Sequence, residues 1–196
     1  MTTRTNKTIS DFKSALIGGG ARPNLFEVEL AKLPDGITGW DADGFRYMCK
    51  AAALPASNIA AIDVPFRGRI FKVAGDRTFD TWTVTIINDE GFKLRSAFED
   101  WMEKISKLSN NLGATNPAAY MVDATVYQLG RGSTASSKDN TGTDNVVLAT
   151  YTFESIFPTN IAAIDLSYDS SDTIEEFTVE FQVQSFKKES ITTPNK

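Results

Sequence analysis

The hexapeptide Asn58-Ile-Ala-Ala-Ile-Asp63 recurs unchanged as Asn160-Ile-Ala-Ala-Ile-Asp165. An identical six-residue phrase is an improbable accident in one short chain, and its surroundings match too. Leu54-Pro55 precedes the first copy and Phe157-Pro158 the second, while Phe66 and Tyr168 follow at corresponding places. Further on, Thr78-Phe-Asp-Thr-Trp-Thr-Val-Thr aligns with Thr173-Ile-Glu-Glu-Phe-Thr-Val-Glu, so that Trp82 corresponds to Phe177, Thr83 to Thr178 and Val84 to Val179. The repeated unit reads as a turn, a short strand, a connection and a long strand. A solenoid needs at least three stacked units to bury a continuous core. Two copies, spanning about residues 54–88 and 157–183, point instead to a duplicated half-sandwich or half-barrel.

The rest of the chain is organised around that duplication. Residues Thr8 to Ile17 place Ile9, Phe12, Leu16 and Ile17 on one side at helical spacing and end in Gly18-Gly-Gly20, the pattern of a short amphipathic arm on a hinge. The glycines follow no strand and lack the Lys-Ser/Thr of a phosphate loop, so a nucleotide site has no support. From Asn24 the period becomes two: Phe26, Val28 and Leu30 oppose Glu27 and Glu29, then Phe45, Tyr47, Cys49 and Ala51 oppose Arg46 and Lys50. Both segments read as half-buried strands joined by a long loop through Pro34-Asp35-Gly36 and Asp41 to Gly44.

Beyond the first repeat, alternation puts Arg67 and Arg69 on the same side of a strand. They are either solvated charges that discourage unwanted edge pairing or part of an interface. Thr78 to Asn88 reads as one long strand. A helix follows from about Glu90 to Leu108, capped by Asp89, with Leu94, Phe98, Trp101, Ile105 and Leu108 at helical spacing. That stripe is the pattern of a face packed on a sheet. Two further strands, Tyr120 to Leu129 and Val146 to Ile156, flank a Gly/Ser/Thr-rich loop at 130–145. In the last long strand Phe177, Val179, Phe181 and Val183 alternate with Thr178, Glu180, Gln182 and Gln184. The first long strand places Thr81, Thr83 and Thr85 correspondingly, so each offers a polar face without Lys or Arg.

Composition narrows the function. At 196 residues the chain suffices for one well-buried domain. It contains no histidine, which removes triad hydrolysis and His-ligated zinc. Its one cysteine, Cys49, cannot form an internal disulfide and reads as a small core hydrophobe rather than a nucleophile. Asp76, Asp80, Asp89 and Glu90 spread along a strand and its end rather than around one ion. Formal net charge is −5, against a phosphate-gripping surface. No run approaches the ~20 apolar residues of a membrane span, and no signal peptide opens the chain. These features describe a soluble protein made in the cytosol, with no cofactor and no catalytic equipment.

Five phrases, Ala21 to Glu29, Cys49 to Ala56, Val73 to Phe79, Trp82 to Thr85 with Asn88-Asp-Glu90, and Pro158-Thr-Asn160, resemble in this order the tail tube family of T4-like contractile-tailed bacteriophages. The resemblance implies a mainly β fold, an antiparallel sandwich or partial barrel with a flanking helix, whose strands join across subunits into a ring barrel. It divides the chain into an arm and hinge (1–20), a tube domain (21–186) and a tail (187–196). It implies no enzyme. The chain would form six-subunit rings, stacked into a virion tube that conducts the genome and assembled in the host cytoplasm. Its partners would be other copies of itself, the sheath, baseplate, tail-terminator and tape-measure proteins, and passing DNA. In that setting Thr81, Thr83, Thr85, Thr178, Glu180, Gln182 and Gln184 are expected to face the lumen, and Ile9, Phe12, Leu16, Ile17, Arg67 and Arg69 to meet other subunits. Related tubes of type VI secretion and bacteriocins are the near alternative. A monomeric β-sandwich binding module of a virion is the alternative from another class, and it would expose an aromatic platform.

Overall fold

The computed structural model describes residues 7–16, 20–133 and 145–189. Its centre is the pairing of the two long strands. β5 (Trp82–Ile87) and β8 (Glu176–Gln182) run antiparallel with Trp82 opposite Phe181, Val84 opposite Val179 and Ile86 opposite Phe177. All six side chains are buried, while Thr83, Thr85, Thr178, Glu180 and Gln182 between them are half-buried. Alternation in the sequence thus becomes a dry face and a wet face, as a period of two requires. Val84 and Val179, which correspond in the two sequence copies, are each other's cross-strand partner. About that pair, Thr83 faces Glu180 and Thr178 faces Thr85, a local two-fold arrangement.

One seven-stranded sheet contains this pair, in the order β1 (Phe26–Glu29), β6 (Val122–Ser133), β7 (Asn145–Ile161), β8, β5 and β2 (Cys49–Ala52), with β9 (Ser185–Glu189) pairing with β7. A separate two-stranded sheet consists of β3 (Ser57–Phe66) and β4 (Arg69–Phe79). The described strands form antiparallel sheets and no closed barrel in the single chain. Contacts divide the chain into two units, residues 28–125 with 151–187, and residues 1–27 with 126–150 and 188–196.

In the first unit α3 (Lys93–Ile105) covers the dry face with Leu94, Ala97, Phe98 and Trp101, all buried. Phe98 is the hub, its ring meeting Phe45, Phe177 and Phe181 edge-on at 6.1, 6.4 and 5.9 Å between centroids. Such edge-on contacts suit the aromatic quadrupole. Trp101 is fully buried, and its indole N–H donates to the Tyr120 carbonyl at 2.7 Å. Trp82 stacks on Phe153 at 4.8 Å. In the second unit Gln128 Nε2 donates to the carbonyls of Arg22 and Leu25, fastening the chain before β1.

Several boundaries differ from the sequence expectation. The strand expected over Phe45 to Ala51 is mostly helix: α2 (Ala42–Met48) begins at Asp41, whose carboxylate accepts from the Gly44 N–H at 2.8 Å, and only Cys49–Ala52 is strand. A cap of this kind satisfies orphan amides and outweighs the weak alternation that follows. Phe45 is accordingly buried and Tyr47 exposed. The strand expected over Thr78 to Asn88 is broken at Asp80-Thr81, where the Asp80 N–H donates to the Ala56 carbonyl and its carboxylate accepts from Asn58. Thr81 is therefore an exposed linker residue.

α3 is shorter than Glu90 to Leu108. Leu108 lies past its end, 93% exposed, and Ile105 is half-buried. Asp89 does serve the helix start, accepting from the Lys93 N–H at 3.1 Å, although Phe92 occupies the cap position itself. The second hexapeptide begins at the end of β7 and then leaves the sheet, unlike the first, which lies within β3. The tail expected from residue 187 starts as part of β9, where Ser185 Oγ donates to Glu154 at 2.6 Å and Lys187 pairs with the same carboxylate. These donors hold the Glu154 carboxyl below its ordinary range. Of the expected loop at 130–145, residues 134–144 lie outside the described residues.

Candidate assembly surfaces

Three surfaces carry the residues singled out by the sequence. The first is the wet face of β5 and β8, where Thr83, Thr85, Thr178, Glu180 and Gln182 lie on one side of paired strands. Thr85 and Thr178 hydroxyls meet at 3.3 Å, and the Thr159 hydroxyl donates to the Glu180 carbonyl. Ala51 stands opposite Thr85, and Asn160 opposite Glu180, extending the face without adding charge. Lys50 also reaches this side, but its ammonium is held by Glu176. Thr81 and Gln184 lie just beyond the strand ends, both exposed. No aromatic ring stands among these named residues, so they form no stacking platform.

The second surface is the β3–β4 hairpin. Every residue of β3 is exposed, and nine of eleven in β4. Ile62 opposes Val73 and Val64 opposes Phe71, and Phe66 opposes Arg69. Opposed residues share a face. One side of the hairpin is therefore apolar over Ile62, Val64, Phe71 and Val73 and ends in the Phe66–Arg69 pair, while Asp63 and Lys72 form an ion pair at 2.6 Å on the other. Phe66 and Phe71 are each 67% exposed.

Arg67 is not in a strand. It forms the hairpin turn with Gly68, at φ 45° and 83° respectively, the left-handed pair of a two-residue turn. The Arg-Gly step was the readable signal, because Gly takes φ > 0 without strain. Arg67 sits over the Phe66 ring at 5.4 Å, and Arg69 opens β4, so the two arginines do not share a strand face. Lower down, β3 shifts register between Ile59 and Ala61. A Cβ on Gly75 would approach the Ala60 carbonyl to 3.0 Å, which explains glycine there.

The third surface is the arm. α1 (Ile9–Ala15) is closed at its start by a reciprocal capping box: Asp11 accepts from the Thr8 N–H while Thr8 Oγ1 accepts from the Asp11 N–H. The Thr8 N–H and hydroxyl, both donating to Asp11 Oδ2, hold its carboxyl below the ordinary value. None of the helix is buried, and Ile9, Phe12 and Leu16 are exposed. Ile17 lies outside the described residues.

Cys49 is half-buried, and burial pushes its thiol up to about 12. Among the described residues no group of three or more His, Cys, Asp or Glu side chains is placed to hold a metal ion. Among them, too, no helix is long and apolar enough to cross a membrane.

Comparison with known proteins assigns the chain to a family. A family described as phage tail tube protein matches residues 21–189. This chain belongs to the phage tail tube family.

The tail tube protein gp19 of Enterobacteria phage T4 is 36% identical to it over 162 residues, covering 83% of this chain and 88% of the relative. The tail tube protein of Serratia phage KSP90 is 26% identical, covering 89% and 93%. Among solved structures, a chain of the anti-feeding prophage baseplate superposes with a TM-score of 0.62 at 11% identity, over 89% of this chain and 98% of that one. A chain of the sheath–tube complex of an extracellular contractile injection system gives 0.59 at 13% identity, over 91% and 97%. At such identities the two structures show the fold alone. This tail tube protein is a structural component of a contractile-tailed phage virion.

Proposed function

We propose that this tail tube protein assembles as six-subunit rings stacked into the inner tube of the tail, and that the tube conducts the genome without binding it and catalyses nothing. The observation that carries this reading is the β3–β4 hairpin. An isolated two-stranded hairpin is marginally stable in water, and this one leaves the apolar side chains of Ile62, Val64, Phe66, Phe71 and Val73 bare on one face. Burial of an apolar side chain contributes about 1.5–3 kcal/mol. The face holding Ile62, Val64, Phe66, Phe71 and Val73 therefore offers ample association energy to a neighbouring copy. Arg67, Arg69 and the arm's Ile9, Phe12, Leu16 and Ile17 are further contacts between subunits.

In the ring, the wet faces of β5 and β8 join those of neighbouring subunits as a continuous barrel, with Thr81, Thr83, Thr85, Thr178, Glu180, Gln182 and Gln184 toward the lumen. Each Lys or Arg contact to DNA releases counterions and adds affinity. A wall of Thr, Gln and Glu, with Lys50 neutralised by Glu176, lets a phosphate backbone slide. The outer surface meets the sheath, and the tube ends meet the baseplate and terminator proteins. The tape-measure protein occupies the lumen before DNA does. Assembly takes place in the host cytoplasm.

Negative-stain microscopy of the purified protein tests the polymer, the expected result being hollow tubes or rings with six-fold symmetry. A monodisperse monomer at every concentration would overturn it. For the lumen, Thr85→Lys with Thr178→Lys should convert tubes that ignore DNA into tubes that retain it at low salt. Unchanged DNA passage would place these residues elsewhere.

A further inference from the structure

The outer side of α3 borders a groove of about 710 Å³ that the core does not use. Its apolar lining comes from Met102 and Ile105 in the last turn of α3, Leu108 beyond it, and Pro158 and Ile161 at the end of β7. Leu108 is 93% exposed there, so its side chain is open to a docking partner. The rim is acidic. Arg95 is spent on Glu99 at 2.9 Å and on the Ala162 carbonyl at 3.2 Å, which leaves Asp100 and Glu103 to set the local charge.

The arm has the opposite character. Ile9, Phe12 and Leu16 make a narrow apolar stripe on a seven-residue helix, too short to persist on propensity alone. Lys7 precedes the helix and Lys13 stands one position from Phe12, against one acid, Asp11, in the cap, so the arm carries a net positive charge. A basic-flanked apolar stripe thus matches an acidic-rimmed apolar groove. No residue of α1 is buried, which leaves its stripe available to a second copy.

We infer that the groove of Met102, Ile105, Leu108, Pro158 and Ile161 receives the N-terminal arm of a second copy, with Lys7 and Lys13 toward Asp100 and Glu103. The inference rests on the polymer reading and names the receiver of the arm within it. Docking in trans couples subunits through a tethered segment, so that each joint is added to the main ring contacts at an effective concentration set by the Gly18 to Gly20 tether.

Mixing a Phe12→Cys chain with a Leu108→Cys chain under mild oxidation tests the pairing directly. The native thiol is a poor competitor, because its thiolate is scarce. Tubes seen by microscopy together with disulfide-linked dimers of the two chains are the expected result. Tubes without the cross-link would overturn the docking while leaving the polymer reading intact, and wild-type protein that forms no tubes would overturn both. A Phe12→Cys/Leu108→Cys double variant that links within one chain at high dilution would show the arm folding back on its own subunit, against the inference. Separately, Leu108→Glu should leave secondary structure and unfolding unchanged and raise the concentration needed for tubes by roughly tenfold, about 1.4 kcal/mol. An unshifted threshold would count against the groove.

Discussion

The β5–β8 pair and the β3–β4 hairpin are built from the same strand chemistry and end in opposite states. In β5 and β8 every second residue is apolar and buried beneath α3. In the hairpin the apolar residues also line one face, through Ile62, Val64, Phe66, Phe71 and Val73, yet none is covered. The difference is whether another layer is supplied by the same chain. Where α3 provides one, the strands make a monomer's core; where none is provided, they leave a bare apolar face, which we propose as half of an interface.

Breaking the uncovered half should have the largest effect. Replacing Ile62, Val64, Phe71 and Val73 together by Thr keeps strand propensity and is expected to abolish tubes, as seen by microscopy and sedimentation. The subunit's own unfolding midpoint should move little. A large loss of subunit stability would show that the hairpin face is covered within the monomer after all.

The covered half should respond in the reverse sense. Trp101→Ala removes a fully buried ring and its hydrogen bond to Tyr120, and should cost the subunit roughly 3–5 kcal/mol in denaturant unfolding. A loss below ~1 kcal/mol would mean that the α3 layer contributes far less than its burial implies.

A finer division lies within the covered pair. Trp82 and Trp101 are both fully buried, but only the Trp101 indole N–H has an acceptor. Trp101→Phe should therefore be more destabilising than Trp82→Phe by about 1 kcal/mol, read from paired urea curves. Equal losses would mean that the Tyr120 bond adds nothing net.

The smallest effect belongs to the wet face. Thr85→Val exchanges a hydroxyl at 3.3 Å from Thr178 for a methyl on a half-buried site and should change subunit stability by no more than ~0.5 kcal/mol. A larger shift would put that face in the fold rather than in the channel wall.

Much of this was legible from residues alone. Phe177, Val179 and Phe181 alternate without interruption and became β8; Leu94, Phe98 and Trp101 keep helical spacing and became the buried side of α3. The wet-face side chains within the two strands also stand where alternation put them. What misled was local chemistry overriding periodicity. Asp41 caps a helix where Phe45 and Tyr47 suggested a strand, and Arg67-Gly68 turns the chain where alternation continued it straight through. The hexapeptide repeat is exact in sequence, yet its two copies occupy different structures, because the first pairs along β3 with β4 while only Asn160 and Ile161 of the second pair, with β8. Nor could sequence periodicity distinguish the hairpin's apolar face from a core strand, since both obey the same period and only the missing layer separates them.

Cys49 carries a consequence of another kind. A thiol pushed up to about 12 by burial is held as the protonated form at neutral pH, and the thiolate is the form that oxidises or exchanges. In a particle made of many identical copies, a single reactive site per copy would multiply into frequent chemical accidents: mixed disulfides, stray links between neighbours, loss of register. Muting that one sulfur by burial removes one way in which the parts of such a particle could be welded in the wrong places.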